Sequence, residues 1–586
     1  MAYKAPVDDI VFALKTAADL PQVLANIASS SDLDEDTIRA ILEEAGRFAT
    51  EVLDPLNWTG DRAGSKLVDG VVQTPPGWKD AYDQFVQGGW SALPCPPEFG
   101  GQGLPSVVSM AVSEIWNAAN LAFGVCPLLT NGAIDSVHIG GSAELKDRYL
   151  PKMVSGEWTG TMNLTEPQAG SDLNAIATRA VRQTDGAYKL TGTKIYISYG
   201  EHELTKNIIH LVLARLPDAP QGTRGISLFL VPKVLVNTDG SLGARNDVIC
   251  AGLEHKLGII ASPTCVMKFG EQGGATGYLV GQENQGLATM FVMMNAARLA
   301  VGVQGVAIAE RATQRALAFA GERRQGRGLG STSKTMDPIA VHPDVRRMLL
   351  TMQAMTQAAR GICYATAAAT DLSHRAADEI VRTSAGARVA LLTPIAKAFA
   401  TDAAVDVASL GIQVHGGMGF VEETGAAQHL RDARILPIYE GTNGIQAIDL
   451  VMRKLPLEGG AAVKAYLMEL GSTVMAVEAI NDPDFGRMGA RMRDTFAALE
   501  QATQWMSGVI TRDPEAALAS ATPYLRLFSL TAGAHYLAAG ALAAGHGEAH
   551  RIQLARFFAE HISVAGPGLA TSVIQGAGVV REATLS

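Results

Sequence analysis

The sequence predicts a mainly α-helical fold with a central β domain and an additional helical domain at the C-terminal end. The chain has 586 residues, which is more than a single hydrophobic core normally serves. Helical periodicity dominates except in one central segment, where short β-rich runs recur between turn residues. We therefore expect five segments. They are an N-terminal helical extension (1–35), a helical domain (36–160), a barrel-like β domain (161–281), a helical bundle (282–455) and a further helical domain (456–586).

The first helical domain is indicated by periodic apolar segments separated by short Pro/Gly breaks. One helix is predicted to begin near Asp32, where acidic residues precede apolar residues at helical spacing. The β domain is predicted from runs separated by Asp-Gly and Gly-Gly turns, and five or more such runs indicate a small antiparallel sheet or barrel. These runs are residues 188–198, 208–214, 226–231, 265–269 and 278–280.

Helix returns from Leu287 onwards. An apolar stripe predicts one long helix that continues through Phe319, with Met290, Met294, Ala297 and Val301 on one face. A second stripe, Met488, Met492, Phe496, Leu499 and Met506, predicts helix in the last segment. We interpret the methionines of both stripes as core packing.

Composition and charge exclude several classes of protein. The net charge of −10 argues against a general affinity for nucleic acid. The five cysteines are scattered and odd in number, which is typical of reduced core thiols and not of a disulfide framework or a metal site. The longest apolar stretch, 390–414, is interrupted by Lys397, Asp402 and Asp406, so no membrane insertion is expected. No signal pattern opens the chain, and a cytoplasmic location is expected.

Four motifs could carry chemistry, although each is also compatible with an ordinary loop. Residues 162–172, Met-Asn-Leu-Thr-Glu-Pro-Gln-Ala-Gly-Ser-Asp, offer the hydroxyls of Thr165 and Ser171 and bare backbone amides to a polar ring or a phosphate. Residues 413–420, Gln-Val-His-Gly-Gly-Met-Gly-Phe, form a glycine-rich break that permits close backbone approach. No strand precedes that break, so it is not a dinucleotide-binding fingerprint.

The other two motifs contain charged groups. Residues 321–327, Gly-Glu-Arg-Arg-Gln-Gly-Arg, form a basic loop, which is either a solvated helix end or an arginine that reaches a pyrophosphate. Residues 439–444, Tyr-Glu-Gly-Thr-Asn-Gly, place the carboxylate of Glu440 in a flexible turn. An isolated glutamate in such a turn is more often on the surface than in a site.

Taken in chain order and together with a fifth pattern at residues 194–198, these four motifs resemble the acyl-CoA dehydrogenase family. The patterns TEPxAGSD, KxxIS, ERRQG, QxxGGxGF and YEGTNxIQ follow one another along the chain. The family fold, with a helical domain, a β domain and a helical bundle, agrees with the segments predicted above. The resemblance implies that the protein binds FAD and oxidises an acyl-CoA thioester.

The resemblance also implies a role for individual residues. Glu440 matches the catalytic base, which takes the α-proton of the thioester more readily if a dry pocket raises its pKa. Its backbone N–H and a flavin ribityl hydroxyl would stabilise the enolate oxygen, and hydride would pass from the β-carbon to the flavin. The flavin ring would contact Met162, Leu164, Thr165, Tyr196 and Ser198. The rest of FAD would contact Thr442 and, across a dimer interface, Arg323, Gln413 and Gly417. The substrate would contact Ser171, Asn295, Arg298, Tyr439 and Gly441.

Three positions depart from the family pattern. Tyr196 stands where many relatives have a tryptophan beside the flavin, and Asn295 stands where many have an aspartate. Gly444 replaces a polar or acidic side chain of several relatives. The catalytic base is unaffected by these differences.

The length of the chain and its local patterns resemble a long branch of the family that includes 3-(methylthio)propanoyl-CoA dehydrogenases. The matching segments are 252–258, 261–265 and 291–298. The resemblance implies oxidation of 3-(methylthio)propanoyl-CoA to 3-(methylthio)acryloyl-CoA in the breakdown of dimethylsulfoniopropionate. The alternatives are a fatty acyl-CoA dehydrogenase of β-oxidation, an acyl-CoA oxidase and a non-catalytic DNA-binding member of the fold.

The resemblance further predicts the partners of the chain. An electron-transferring flavoprotein is the expected electron acceptor. The additional C-terminal domain is interpreted as structural, and it is expected to block the surface through which shorter relatives form a dimer of dimers. We therefore expect a homodimer.

Overall fold

The computed structural model describes residues 2–27, 33–545 and 548–584. Its first part is helical, with one small hairpin of strands β1 (Lys66–Val68) and β2 (Val71–Gln73). The helix predicted near Asp32 begins at Glu35, where the Asp34 carboxylate accepts a 2.8 Å hydrogen bond from the Thr37 backbone N–H; Asp32 itself lies outside the described residues. The helices are α1 (Val7–Thr16), α2 (Leu20–Asn26), α3 (Glu35–Phe48), α4 (Asp54–Ala63), α5 (Trp78–Gln87), α6 (Ser106–Ala119), α7 (Leu121–Gly140) and α8 (Ala143–Val154).

The predicted β domain is confirmed, and all five predicted runs are strands. The main sheet has the order β10-β11-β5-β12-β7-β6-β3, with β4 paired to β5 and β6, while β8 and β9 form a separate pair. The strands are β3 (Trp158–Asn163), β4 (Arg179–Arg182), β5 (Tyr188–Ser198), β6 (Asn207–Arg215), β7 (Ile226–Pro232), β8 (Val234–Val236), β9 (Leu242–Arg245), β10 (Val248–Leu253), β11 (Thr264–Phe269) and β12 (Ala275–Val280).

The sheet is not purely antiparallel, contrary to the sequence-based prediction. β3 pairs with β6 in parallel, and the single bridge between β4 and β6 is also parallel. A parallel pair needs a long connection, and β4 and β5 supply that connection between β3 and β6. β3 is buried along its whole length, so it has no apolar–polar alternation by which sequence could reveal it.

Long helices form the bundle that follows the β domain. They are α9 (Gly286–Glu322), α10 (Pro343–Arg375), α11 (Glu379–His415), α12 (Ala426–Ala433) and α13 (Asn443–Asp449). α9 and α11 approach closely because small residues face each other: a Cβ on Gly305 would lie 2.5 Å from the Ala400 carbonyl oxygen. The long helix predicted from the methionine stripe is therefore confirmed as a core element.

The last segment is a helical domain that packs on the bundle. Arg388 of α11 donates a 2.9 Å hydrogen bond to Glu469 and a 3.1 Å hydrogen bond to the Tyr536 hydroxyl, which fastens the two parts together. The helices are α14 (Ala461–Glu478), α15 (Met488–Arg512), α16 (Pro514–Ala519), α17 (Ala521–Ala543), α18 (Ala549–Phe557), α19 (Gly566–Gln575) and α20 (Ala577–Glu582).

One helix of the described residues, α9, has the length and composition of a membrane-crossing segment. Within its most apolar window, 76% is buried inside the protein. The apolar side chains of α9 thus pack against neighbouring helices, as in a core helix.

Candidate active site

A cavity of about 330 Å³ lies between the β domain and the helical bundle. Its β-domain wall is formed by the ends of β3 and β5 and by the loop after β3, and its other wall by α9, the turn before α13, and α13. The lining residues are Leu129 of α7; Met162, Leu164, Thr165, Gly170, Ser171, Leu173, Tyr196, Ile197 and Ser198 of the β domain; and Phe291, Met294, Arg298, Glu440, Gly441, Ile445, Ile448, Asp449 and Arg453 of the bundle.

A buried ion pair fixes the loop that follows β3. Lys194 of β5 is fully buried, and its Nζ donates to the Leu164 carbonyl at 2.9 Å and to Glu166 Oε1 at 2.8 Å. The Ile195 N–H donates to the Thr165 carbonyl at 2.9 Å. Burial lowers the pKa of Lys194 to about 8, and the nearby Glu166 carboxylate opposes that change. The segment that carries Leu164 and Thr165 is therefore held against β5.

The β-domain wall fits a flavin ring. It combines the apolar side chains of Met162 and Leu164 with the hydroxyls of Thr165 and Ser198, and a flat ring with polar edges needs both kinds of group. Tyr196 has a left-handed backbone, with φ of 60°, and its side chain is 61% exposed beside the cavity. When bound, FAD would be held here by groups that the described residues already place on one wall.

Glu440 lies in a tight turn between α12 and α13. The Asn443 N–H donates to the Pro437 carbonyl at 3.0 Å and closes this turn. Glu440 and Gly441 both have left-handed backbones, with φ of 55° and 86°. This conformation costs a non-glycine residue roughly 1–2 kcal/mol, and such strain is typical of functional positions. The turn directs the Glu440 side chain to the cavity instead of to solvent.

Burial raises the pKa of the Glu440 carboxyl above its ordinary range. Two cations oppose this change, first Arg298 of α9 and then Lys397 of α11. Both cations are themselves destabilised by burial, which lowers the pKa of Arg298 and lowers that of Lys397 to about 7. Glu440 is half-buried because it borders the cavity. A carboxylate in this position is a stronger base than one in water.

Nine of the residues predicted for the site line this one cavity, and six do not. The nine are Glu440, Met162, Leu164, Thr165, Tyr196, Ser198, Ser171, Arg298 and Gly441. Of the other six, three are near the cavity wall. Thr442 accepts a hydrogen bond from Ile445 N at 3.3 Å as the cap of α13, Asn295 lies 3.4 Å from Arg298 Nη1, and the Tyr439 hydroxyl donates to Gln304.

Arg323, Gln413 and Gly417 lie elsewhere, on an exposed face at the ends of α9 and α11. Stacking of Phe319 on His415, with ring centroids 4.4 Å apart, joins these two helix ends. The three residues therefore share one surface that is separate from the cavity of their own chain.

Sequence reasoning missed Lys397, Gln304 and Asp449. In the sequence, Lys397 is visible only as an interruption of an apolar stretch, and that interruption is the available signal, because a fully buried lysine in an apolar helix requires a partner. Gln304 and Asp449 are also buried and polar, but their partners are distant in sequence. No cluster of three or more metal-ligating side chains occurs within the described ranges.

Comparison with known proteins agrees with this geometry. Family models match as "Acyl-CoA dehydrogenase, N-terminal domain" at 35–157, "middle domain" at 161–271 and "C-terminal domain" at 284–455, and as "Acetyl-CoA dehydrogenase C-terminal like" at 467–583.

Two curated relatives and one solved structure show the extent of the likeness. A 3-methylmercaptopropionyl-CoA dehydrogenase from Ruegeria pomeroyi is 49% identical, over 93% of this chain and 92% of its own. A butyryl-CoA dehydrogenase from Syntrophomonas wolfei is 36% identical, over 89% and 86%. The structure of Caenorhabditis elegans ACDH-11 in complex with C11-CoA matches with a TM-score of 0.78 at 19% identity, over 100% of this chain and 96% of that chain, which bears on the fold alone.

The fold and the cavity define a flavoprotein oxidoreductase that acts on CoA thioesters. The chain belongs to the acyl-CoA dehydrogenase family. It is an FAD-dependent acyl-CoA dehydrogenase of the long type, as the sequence predicted.

Proposed function

We propose that Glu440 removes the α-proton of 3-(methylthio)propanoyl-CoA, and that the product is 3-(methylthio)acryloyl-CoA. The observation that carries the role of Glu440 is its position: its carboxylate borders the same cavity as Met162, Thr165 and Ser198. Burial raises its pKa, and a raised pKa makes proton removal from a weak carbon acid less unfavourable.

Several groups of the chain act together in this reaction. Glu440 Oε takes the α-proton, while the Glu440 backbone N–H donates to the thioester carbonyl, where negative charge develops. When bound, FAD supplies the redox chemistry by accepting a hydride from the β-carbon. Ser171 and Arg298 lie on the cavity wall, where they can orient the CoA portion of the substrate. The Lys194–Glu166 pair keeps the flavin-facing loop in place.

A hydrogen-bonded barrier behind the base supports a short acyl chain. The Tyr439 hydroxyl donates to Gln304 Oε1, and Gln304 Nε2 donates to Asn117 Oδ1 at 3.1 Å. Gln304 and Asn117 are at most 1% exposed. We infer that the acyl chain extends towards these polar groups, which would exclude a long apolar chain. The apolar wall of Leu129, Phe291 and Met294 suits an uncharged thioether tail.

The 49% identity to the 3-methylmercaptopropionyl-CoA dehydrogenase favours the methylthio substrate over butyryl-CoA, which is the substrate named for a relative with 36% identity. A panel of acyl-CoAs, from butyryl-CoA through 3-(methylthio)propanoyl-CoA to long chains, should be compared by anaerobic bleaching of the flavin. The highest kcat/KM is expected for 3-(methylthio)propanoyl-CoA. A clear preference for long straight chains would contradict the substrate assignment.

The same assay tests the base. Glu440→Gln is expected to keep FAD and bind acyl-CoA but not bleach, because the amide cannot take the proton. Glu500→Gln, at an exposed position of α15, is the matched control and should behave as the unmodified protein. Sustained turnover by Glu440→Gln would rule out this mechanism.

A homodimer would complete the FAD site. Arg323, Gln413 and Gly417 are all exposed. Near Gly417, Met418 is 52% exposed and Phe420 is 87% exposed. Covering these apolar side chains with a second copy would bring the three predicted FAD contacts to the partner's cofactor. Light scattering should give twice the chain mass, and a stable monomer or tetramer would contradict this assignment.

An electron-transferring flavoprotein in the cytoplasm is the proposed electron acceptor. The reduced enzyme should then be reoxidised much faster by that carrier than by air. Faster reoxidation in air would favour the acyl-CoA oxidase alternative. Fractionation of cells that produce the protein tests the cytoplasmic location.

A further inference from the structure

Asp449, at the end of α13, is a buried carboxylate on the wall of the catalytic cavity. It is 5% exposed and lines the same cavity as Glu440 and Arg298. Its Oδ2 lies 3.6 Å from Arg298 Nη1 and, among the described residues, has no hydrogen-bond partner. A buried carboxylate oxygen without a hydrogen bond is costly to the fold, so the presence of Asp449 needs an explanation.

Arg298 interacts electrostatically with both Asp449 and Glu440. It is 5% exposed, and its Nε also lacks a hydrogen-bond partner within the described part of the chain. Burial lowers the pKa of Arg298, and two carboxylates oppose the change, Asp449 first and Glu440 second. A Cβ on Gly441 would lie 3.6 Å from Arg298 Nη2, so the guanidinium is beside the turn that carries Glu440.

The balance of these charges affects the strength of the base. A cation near Glu440 stabilises its ionised form and so lowers its pKa. A second carboxylate on the same cation reduces that effect. Without Asp449, the whole charge of Arg298 would act on Glu440, and Glu440 would be a weaker base.

Three other cations among the described residues lie near Glu440 or Asp449. Lys397 of α11 also favours ionised Glu440, and its own hydrogen-bond acceptor is Asn443 and not Asp449. Arg453 and Lys454, on the segment of Asp449 itself, lie 3.6 Å and 3.8 Å from its carboxylate, with side chains 66% and 20% exposed. Solvent screens the more exposed of these cations, so Arg298 is the main buried partner of Asp449.

We propose that Asp449 is a positioning residue of the dehydrogenase reaction: it holds the Arg298 guanidinium at the cavity wall and takes up part of its charge, which preserves the basicity of Glu440. This inference rests on the proposed role of Glu440 as the base. It deepens that role by naming the residue that limits the influence of Arg298.

The test is the pH dependence of flavin reduction in the holoenzyme, measured in a single turnover with 3-(methylthio)propanoyl-CoA. Asp449→Asn removes the charge with little change of shape. The acid limb of the rate profile is expected to move to lower pH by about one unit, because Arg298 then acts on Glu440 alone. Asp449→Glu keeps the charge, so the acid limb of its rate profile should stay at the pH of the unmodified protein. If Asp449→Asn does not fold, Asp449→Ser provides a second neutral variant with the same expected shift.

Asp494→Asn is the matched control, since it removes an exposed carboxylate of α15 that pairs with Arg491. This control variant should not change the pH of the acid limb. A slower rate at every pH with an unmoved limb in Asp449→Asn would assign Asp449 a purely structural role and overturn the proposal. If Glu440→Gln still reduces the flavin, the proposed base itself is wrong; if Glu440→Gln is inactive and the limb does not move, only the role of Asp449 is wrong.

Discussion

Lys397 of α11 donates a 2.9 Å hydrogen bond from Nζ to Oδ1 of Asn443, the first residue of α13. The Asn443 amide in turn donates to Asp402 Oδ1 at 2.7 Å and to the Ala398 carbonyl at 3.2 Å. The turn that carries Glu440 is thus attached to α11 through the first residue of α13. The same lysine is one of the two cations that act on the Glu440 carboxylate.

Lys397→Met should move the acid limb of the kcat profile to higher pH. The lysine favours ionised Glu440, so its removal raises the pKa of that carboxyl further. The direction is opposite to that expected for Asp449→Asn. Steady-state rates across pH test this expectation, with Lys464→Met, at an exposed position of α14, as the control. An unchanged limb would show that Lys397 acts only as a structural link.

Lys397 should also make stability depend on pH. Burial lowers its pKa to about 7 in the folded protein, against about 10.4 in the unfolded chain. The buried cation costs stability below pH 7, and the cost disappears as pH rises to about 10.4, where the amine is neutral in both states. The unfolding free energy attributable to this residue therefore rises with pH across that window. Urea titrations of Lys397→Met should lack this rise; an identical slope in both proteins would contradict the assigned pKa.

The left-handed backbone at Glu440 predicts a difference between two inactive variants. Glycine adopts a φ of 55° without the steric cost that a Cβ imposes. Glu440→Gly should therefore be more stable than Glu440→Ala by about 1 kcal/mol. Thermal unfolding of the two variants measures this difference directly. Equal stability would mean that the turn relaxes when the carboxylate is removed.

Breaking the buried Lys194–Glu166 pair should weaken both the fold and the binding of FAD. Lys194→Met leaves a buried carboxylate without its cation, which costs about 3–5 kcal/mol. The loop with Leu164 and Thr165 also loses its anchor, so less FAD should be retained after gel filtration.

Lys268→Met is the control, because Lys268 pairs with Glu271 on the exposed surface of the same domain. Its cost should stay below about 1 kcal/mol. Comparable losses in the two variants would show that burial does not set the energetic role of the Lys194–Glu166 pair.

Gln304→Ala should widen the range of accepted acyl chains. The substitution removes the central group of the Tyr439–Gln304–Asn117 chain and opens space behind the base. The acyl-chain length that gives the highest kcat/KM should increase. The polar groups left unpaired should lower the free energy of unfolding by about 1–3 kcal/mol. Gln314→Ala, on the same helix and bonded to the Lys4 carbonyl, serves as the control. An unchanged chain-length profile would mean that another part of the cavity limits the substrate.

Local pattern was sufficient for most of the fold. Alternation and turn residues revealed β5, β6, β7, β11 and β12, and helical stripes revealed α9 and α15. β3 was not found, because both of its faces are buried and it has no alternation. Its parallel pairing with β6 depends on the path of the chain between the two strands, which no local pattern records.

For the site, too, sequence and structure supply different information. Ordered motifs assigned Glu440, Thr165 and Ser198 to one reaction, and the structure places all three on one cavity. Arg323, Gln413 and Gly417 lie together on a different surface, which is compatible with their predicted contact to the cofactor of a second copy. Single motifs indicate what binds but not where the contact lies, and the prediction that these three residues contact FAD across a dimer interface depends on the resemblance to the family.

The sequence by itself determined the family, the order of its helical and β segments, and the residue proposed as the base, since each depends on residue types at local spacing. Only the tertiary structure decided the electrostatic setting of that base. Lys397, Arg298 and Asp449 come from separate elements and meet around Glu440 through packing. A pKa depends on burial and on charges a few ångströms away, and both are properties of three-dimensional distance. The sequence motif therefore predicts Glu440 as the base, and the three-dimensional surroundings set the pKa of its carboxyl.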